Sequence, residues 1–389
     1  MELTLFLDHA CNLRCSYCYN GKKFGRLMPA PVMRRSVDLA LANRPARLDV
    51  SFFGGEPLLQ PGLIEETMAY VDLCVRVLPE PHPRVRYVMN TNGTVLDERA
   101  LTLLSPPRDF TVYVSLDGPA PIHDKHRVDR DGHGSFAGIV ANLGRLHRAG
   151  IRYSLVAVVR PDTARSLGEV VVTLMNLQPI QITLTPDLRA AWTTASIGEL
   201  RAGLHDAGDV WGEAFRRGHT IAVEPLHAKI LTHLKQGIPC PERCTLAGHA
   251  FAVAPTGRLY PCAQMIGEDC NEALVVGTVT SGFDQTRLTA LQRSKDQVEE
   301  TCAPCALRDR CQSHCGCRHL ALTGELGRIN QVMCDVEESF ILAADEVASR
   351  MVDERCPAFL DTYYRKQYRA ADGATLTRLR RPSEPSVRG

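Results

Sequence analysis

LTLFLDHACNLRCSYCYNG, residues Leu3–Gly21, joins an apolar, strand-forming run to three cysteines, Cys11, Cys15 and Cys18, in CX3CX2C spacing. Thiolates favour iron–sulfur clusters or zinc, and a closed [4Fe–4S] site takes four cysteines. Three cysteines leave one iron without a protein ligand, and a vacant coordination position marks a catalytic metal site. A zinc knuckle short of one ligand, or three packed thiols, is the structural alternative.

Outward from this stretch, the chain runs to 389 residues, enough for more than one domain. Its formal net charge of +1 gives no reason to expect nucleic acid or an anionic membrane as a partner. No apolar run approaches the ~20 residues that span a bilayer, and no signal-peptide pattern precedes the first strand. The expected location is cytoplasmic. In that reducing compartment, 15 cysteines point to metal rather than disulfides.

Short β-rich runs alternate with helical patterns. Strands are expected at Glu2–Leu7, Arg47–Phe53, Arg84–Asn90, Phe110–Leu116, Tyr153–Val159 and Gln181–Thr185, with helices such as Val32–Ala42 and Leu63–Val77 between them. Six such repeats imply an α/β fold with a parallel sheet and right-handed crossovers. A full eight-fold barrel needs ~250 residues, and only about the first 215 read this way. A partial (βα)6 TIM-type barrel is therefore expected, with its chemistry at the carboxyl ends of the strands.

Motifs fall at those ends. FFGGEPLL follows the second strand and holds Gly54, Gly55 and Glu56. Paired glycines let a ligand approach the backbone, and a carboxylate beside them can hold an amine. NTNG (90–93) follows the third strand, SLDGP (115–119) the fourth, and IHDKHR runs on to Arg127. Asn-Gly and Asp-Gly are also ordinary turn dipeptides. TPDLRAAW (185–192) follows the sixth strand.

The triad, with Tyr17 just before its last cysteine, resembles the signature of the radical S-adenosylmethionine (SAM) superfamily. The resemblance implies that the amino and carboxylate groups of SAM chelate the open iron, and that an electron from the cluster cleaves the sulfonium to a 5′-deoxyadenosyl radical. GGEP resembles the element that contacts the SAM amino group. In the sulfatase-maturase-like members, a serine and an arginine matching Ser115 and Arg127 contact the ribose and carboxylate, and the segment holding Leu188 supplies an adenine contact. A guanidinium suits that carboxylate, which it can grip bidentately.

The C-terminal part carries a second cysteine pattern. Cys244 is followed by twelve residues, Gly257, four residues and Cys262; Cys302, Cys305, Cys311 and Cys315 then follow in CX2CX5CX3C spacing, with Cys334 beyond. This resembles the SPASM domain of radical SAM peptide maturases. The resemblance implies two auxiliary [4Fe–4S] clusters, making three in all: Cys244, Cys262, Cys315 and Cys240 for the first, and Cys302, Cys305, Cys311 and Cys334 for the second. Cys317 is a rival to Cys240, and a pair of zinc sites is the structural alternative. Cys74 is expected in core packing, while Cys270 and Cys356 have no assigned partner.

The expected division is a radical SAM partial barrel over 1–218, a SPASM domain over 219–350, and a C-terminal helix with a disordered tail over 351–389. The implied activity is an oxidoreductase that abstracts hydrogen from a peptide, installing a cross-link or another oxidative modification in a ribosomally made precursor. Flavodoxin or ferredoxin is the expected reductant. With no winged-helix segment before the first strand, leader recognition falls to a separate protein or to the core itself. Whole-length resemblance is to anaerobic sulfatase-maturating enzymes, which form formylglycine and place a general-base aspartate directly after the cysteine matching Cys262. Here that residue is Ala263, so Glu224, His227 or another group would have to substitute. Action on a small metabolite, and a non-catalytic metal module, are the competing readings.

Overall fold

The structure is a computed structural model describing residues 1–237, 244, 246 and 248–364. The chain divides into two compact units: Met1–Leu116, Ala120–Val156 and Thr245–Lys295 form the first, and Asp117–Pro119, Ala157–Cys244 and Asp296–Gly389 the second. The units are not contiguous, and residues 245–295, read from sequence as part of the SPASM domain, belong to the same unit as the first strand.

In the first unit the expected strands form as β1 (Glu2–Phe6), β2 (Arg47–Phe53), β3 (Arg84–Thr91) and β4 (Phe110–Ser115), with β5 (Tyr153–Val159) entering it through Val156. They pair in parallel in that order. Leu3, Leu5 and Phe6 are all fully buried and Thr4 between them is buried too, as expected of a parallel strand covered on both faces. Helices α1 (Ala30–Leu41) and α2 (Pro61–Val77) start two residues earlier than expected, each with proline in its first turn, where a missing N–H is harmless. Later in this unit come α3 (Glu98–Leu104), α4 (Ala120–His123) and α5 (Phe136–Arg148).

The stretch AFAVAPTGRLY (250–260) folds as a hairpin, β8 (Ala250–Val253) against β9 (Leu259–Tyr260), turning at Gly257 with φ +85°. Its location was not legible in the sequence. β8 pairs in parallel with β1, Glu2 opposite Ala250, and so covers the edge that β1 would otherwise present.

In the second unit β6 (Gln181–Pro186) pairs in parallel with a strand the periodicity did not reveal, β7 (Ala222–Glu224). Three residues are too few to show alternation. Helices α6 (Leu167–Asn176), α7 (Thr194–Arg216) and α8 (Leu226–Leu234) pack here with a long helix, Gln331–Asp353, and a short one, Pro357–Tyr364. The long helix is capped by Asn330, whose Oδ1 accepts from Met333 N at 3.1 Å. Trp211, Phe215, Phe359 and Tyr363 form an aromatic core. The basic tail, 365–389, lies outside the described residues, as does Cys240. No helix among the described residues is long and apolar enough to cross a membrane.

Candidate iron–sulfur and S-adenosylmethionine site

The loop holding the triad leaves the carboxyl end of β1 and is gripped from three directions. The Asp8 carboxylate accepts from the backbone N–H groups of Ala10 and Arg26, at 3.0 and 2.8 Å, and from Gln60 Nε2 at 2.9 Å. Arg14 N and Ser16 N donate to the carbonyls of Val128 and His126. Gly55 N and Glu56 N donate to the carbonyls of Asp8 and Ala10, at 2.8 and 3.0 Å.

That last contact explains the paired glycines in terms the sequence did not supply. A Cβ on Gly55 would stand 2.0 Å from the Ala10 carbonyl oxygen, and one on Gly54, whose φ is +137°, 2.5 Å from that of Asp8. The space is taken by the protein's own cysteine loop, so the glycines dock loop to strand.

Glu56, expected to hold an amine, also has partners within the protein. It is 1% exposed; Oε1 accepts from Leu58 N at 3.0 Å and Thr91 Oγ1 at 2.8 Å, and Oε2 from Asn92 N at 2.6 Å. Three of its roughly four acceptor positions are engaged by the protein. Burial outweighs these bonds and pushes its pKa up to about 7. The side chain ties the end of β2 to the NTNG turn after β3.

Each thiol of the triad meets a donor. Asn92 Nδ2 lies 3.7 Å from Cys11 Sγ, and Leu13 N donates to the same sulfur at 3.4 Å. Arg127 Nη1 lies 4.0 Å from Cys15 Sγ, and Lys23 Nζ donates to Cys18 Sγ at 2.8 Å. The Arg127 guanidinium also stacks over the Tyr17 ring, 5.2 Å from its centroid. Burial raises the Cys11 thiol. Thiols outside any disulfide and met by N–H donors fit a cysteine-held cluster, since hydrogen bonds to the sulfurs stabilise its negative charge. Arg127, expected as a carboxylate clamp, is buried against the triad. Asn92 and Lys23 were missed; Asn92 stands in a quoted motif, whereas nothing local marks Lys23.

Ser115 closes β4 opposite Val156. Leu188 is buried in the second unit, after β6. None of the described cysteines forms a disulfide. Cys244, Cys302, Cys305, Cys311, Cys315, Cys317 and Cys334 belong to the second unit and Cys262 to the first. The Cys244 and Cys317 thiols hydrogen-bond to Cys315 and hold it well below the ordinary thiol value, so the rival Cys317 is in contact with an expected ligand. Burial pushes Cys311 up to about 12, with the Glu337 charge adding to it. Cys74 is half-buried on α2 rather than in the core, its sulfur 3.9 Å from Asp38 Oδ1.

Residues 7–173 match the Radical SAM superfamily model. This segment is a radical SAM domain. The chain is 25% identical over 270 residues to the cysteine-type anaerobic sulfatase-maturating enzyme of Clostridium novyi (strain NT), covering 65% of this chain and 70% of the relative. It is 26% identical over 356 residues to the PqqA peptide cyclase of Gluconobacter oxydans (strain 621H), covering 85% and 90%. Among solved structures, native anSMEcpe with bound AdoMet and Kp18Cys peptide aligns with a TM-score of 0.73 and 20% identity, over 91% of this chain and 99% of that one. That likeness establishes the radical SAM fold, and the cysteine-rich C-terminal part accords with a SPASM domain.

Proposed function

We propose that the protein is a radical SAM maturase that oxidatively modifies a peptide, most simply by a cross-link in a ribosomally made precursor. The observation that carries the radical SAM part is the triad itself: three thiols outside any disulfide at the end of β1, each met by its own N–H donor. Cys11, Cys15 and Cys18 would hold the cluster. When bound, the cluster and SAM supply reductive cleavage of the sulfonium and hence a hydrogen-abstracting radical. The chain's own residues do the rest. Asn92, Arg127 and Lys23 offset charge at the sulfurs; Gly54, Gly55 and Glu56 brace the loop; Arg127 stacks over Tyr17. Ser115 and Leu188 are the further SAM contacts of this reading, and Cys240, Cys244, Cys262 and Cys315, with Cys302, Cys305, Cys311 and Cys334, the ligands of two auxiliary clusters. The electron comes from a flavodoxin or ferredoxin.

The peptide substrate is supported by the relatives, which include a peptide cyclase and sulfatase maturases. Formylglycine formation is the second reading. Ala263 weighs against it, because an alanine cannot take a proton. The suggested substitutes have structural tasks in the second unit: Glu224 Oε2 accepts from Ala228 N at 3.1 Å, and His227 Nδ1 lies 2.7 Å from the Tyr363 hydroxyl. Burial lowers His227.

The test is anaerobic reconstitution with SAM, dithionite and a peptide encoded beside the gene. 5′-Deoxyadenosine together with a peptide lighter by two hydrogens is the expected result. Absence of 5′-deoxyadenosine refutes the radical reading, and an aldehyde in place of a cysteine or serine selects the sulfatase-maturase reading.

A further inference from the structure

The second unit contains a group of buried charges that the chemistry above does not use. Lys229 on α8 is 2% exposed and Glu337 on the helix Gln331–Asp353 is 3% exposed. Lys229 Nζ donates to Glu337 Oε2 at 2.7 Å, and Arg318, on the helix Gly316–Thr323, donates to Glu337 Oε1. Glu337 Oε2 also accepts from Gln312 N at 3.1 Å, and Lys229 Nζ also donates to the Arg310 carbonyl at 2.7 Å. The backbone is therefore held one residue before and one residue after Cys311. Arg310 in turn pairs with Asp345.

Stability is a poor explanation for this arrangement. Replacing a buried ion pair or triad by apolar residues of similar volume is often neutral or stabilising. What sets these charges apart is position: Glu337 follows Cys334 by three residues, the gripped backbone flanks Cys311, and the charges of Glu337, Lys229 and Arg318 all act on the Cys311 thiol. Two cations face one carboxylate, so the group carries an excess positive charge beside thiols that become anionic when they bind metal.

We propose that Lys229, Glu337 and Arg318 form an electrostatic seat for the auxiliary cluster held by Cys302, Cys305, Cys311 and Cys334, fixing the Cys311 backbone and setting the cluster's reduction potential. The inference rests on the auxiliary-cluster reading above. These are positioning residues, acting through the ligand loop. Adding an electron to an iron–sulfur cluster adds negative charge, and nearby charge is one of the levers on its potential. Removing the Lys229 charge must therefore lower the midpoint, and removing the Glu337 charge must raise it. A scaffold with no electrostatic part would not give opposite signs.

The experiment uses the full chain with Cys11, Cys15 and Cys18 replaced by alanine, so that only auxiliary clusters titrate. Iron is counted first. About eight per chain, two clusters' worth, upholds the reading on which the inference stands, whereas absence of auxiliary iron overturns both. Redox titration followed by electron paramagnetic resonance then compares this parent with added Lys229→Met or Glu337→Gln. A midpoint shifted down in the first and up in the second is expected. Shifts of the same sign, or none in loaded protein, overturn the proposal. Arg318→Gln covers the case in which the Lys229 or Glu337 variant fails to load, because Arg318 is the third member of the seat and its side chain is partly solvated. A downward shift there supports the seat, and an unchanged midpoint refutes it.

Discussion

Glu56 has a structural task that its motif does not announce. Its carboxylate holds Leu58 N, Thr91 Oγ1 and Asn92 N, and Asn92 in turn reaches Cys11. Glu56→Ala leaves buried donors unsatisfied, and a loss of roughly 2–4 kcal/mol is expected by chemical denaturation. The loss should depend on pH with a definite sign. The native carboxyl titrates at about 7, against an ordinary value of 4.5, because burial opposes its charge. Between those values the folded chain holds a proton that the unfolded chain has released, so stability is full below about 4.5 and falls as pH rises through about 7. The gap in Tm between wild type and Glu56→Ala should therefore narrow from pH 5 to pH 7; a widening gap would contradict the buried carboxyl.

Elements meet at the site through backbone contact, where volume decides. Gly55→Ala forces β2 away from the cysteine loop, since the new methyl carbon would lie 2.0 Å from the Ala10 carbonyl oxygen. Iron bound by the triad should fall several-fold and Tm should drop. Gly25→Ala, with nothing within 4 Å, is the control expected to change neither. In the second unit Phe359, on the helix Pro357–Tyr364, sits edge-to-face on Phe215 of α7 at 5.2 Å. Phe359→Ala should cost about 3–5 kcal/mol, read as a lower denaturation midpoint. The helices were legible because their apolar spacing is local. β7 was not, being three residues long, and the place of β8 beside β1 depends on a pairing between residues 2 and 250.

For the molecule as a whole, the cysteine patterns predict separable metal loads. Replacing Cys11, Cys15 and Cys18 with alanine should lower iron from about twelve to about eight per chain and abolish SAM cleavage. Loss of all iron would instead mean that the sites assemble as one. The sequence by itself determined the parallel strands, the soft ligands and their spacing, and from Ala263 the doubt over formylglycine, since all of these are written within short stretches of chain. Only the packed chain shows the rest: that the GGEP glycines dock the cysteine loop, that Glu56 is buried and ties β2 to the NTNG turn, that Asn92 and Lys23 reach the sulfurs, and that Lys229 meets Glu337 across 108 residues. The physical reason is range. Periodicity and ligand spacing act over a few residues, whereas a buried charge or hydrogen bond acquires its partner only when strand register and helix packing bring distant segments together.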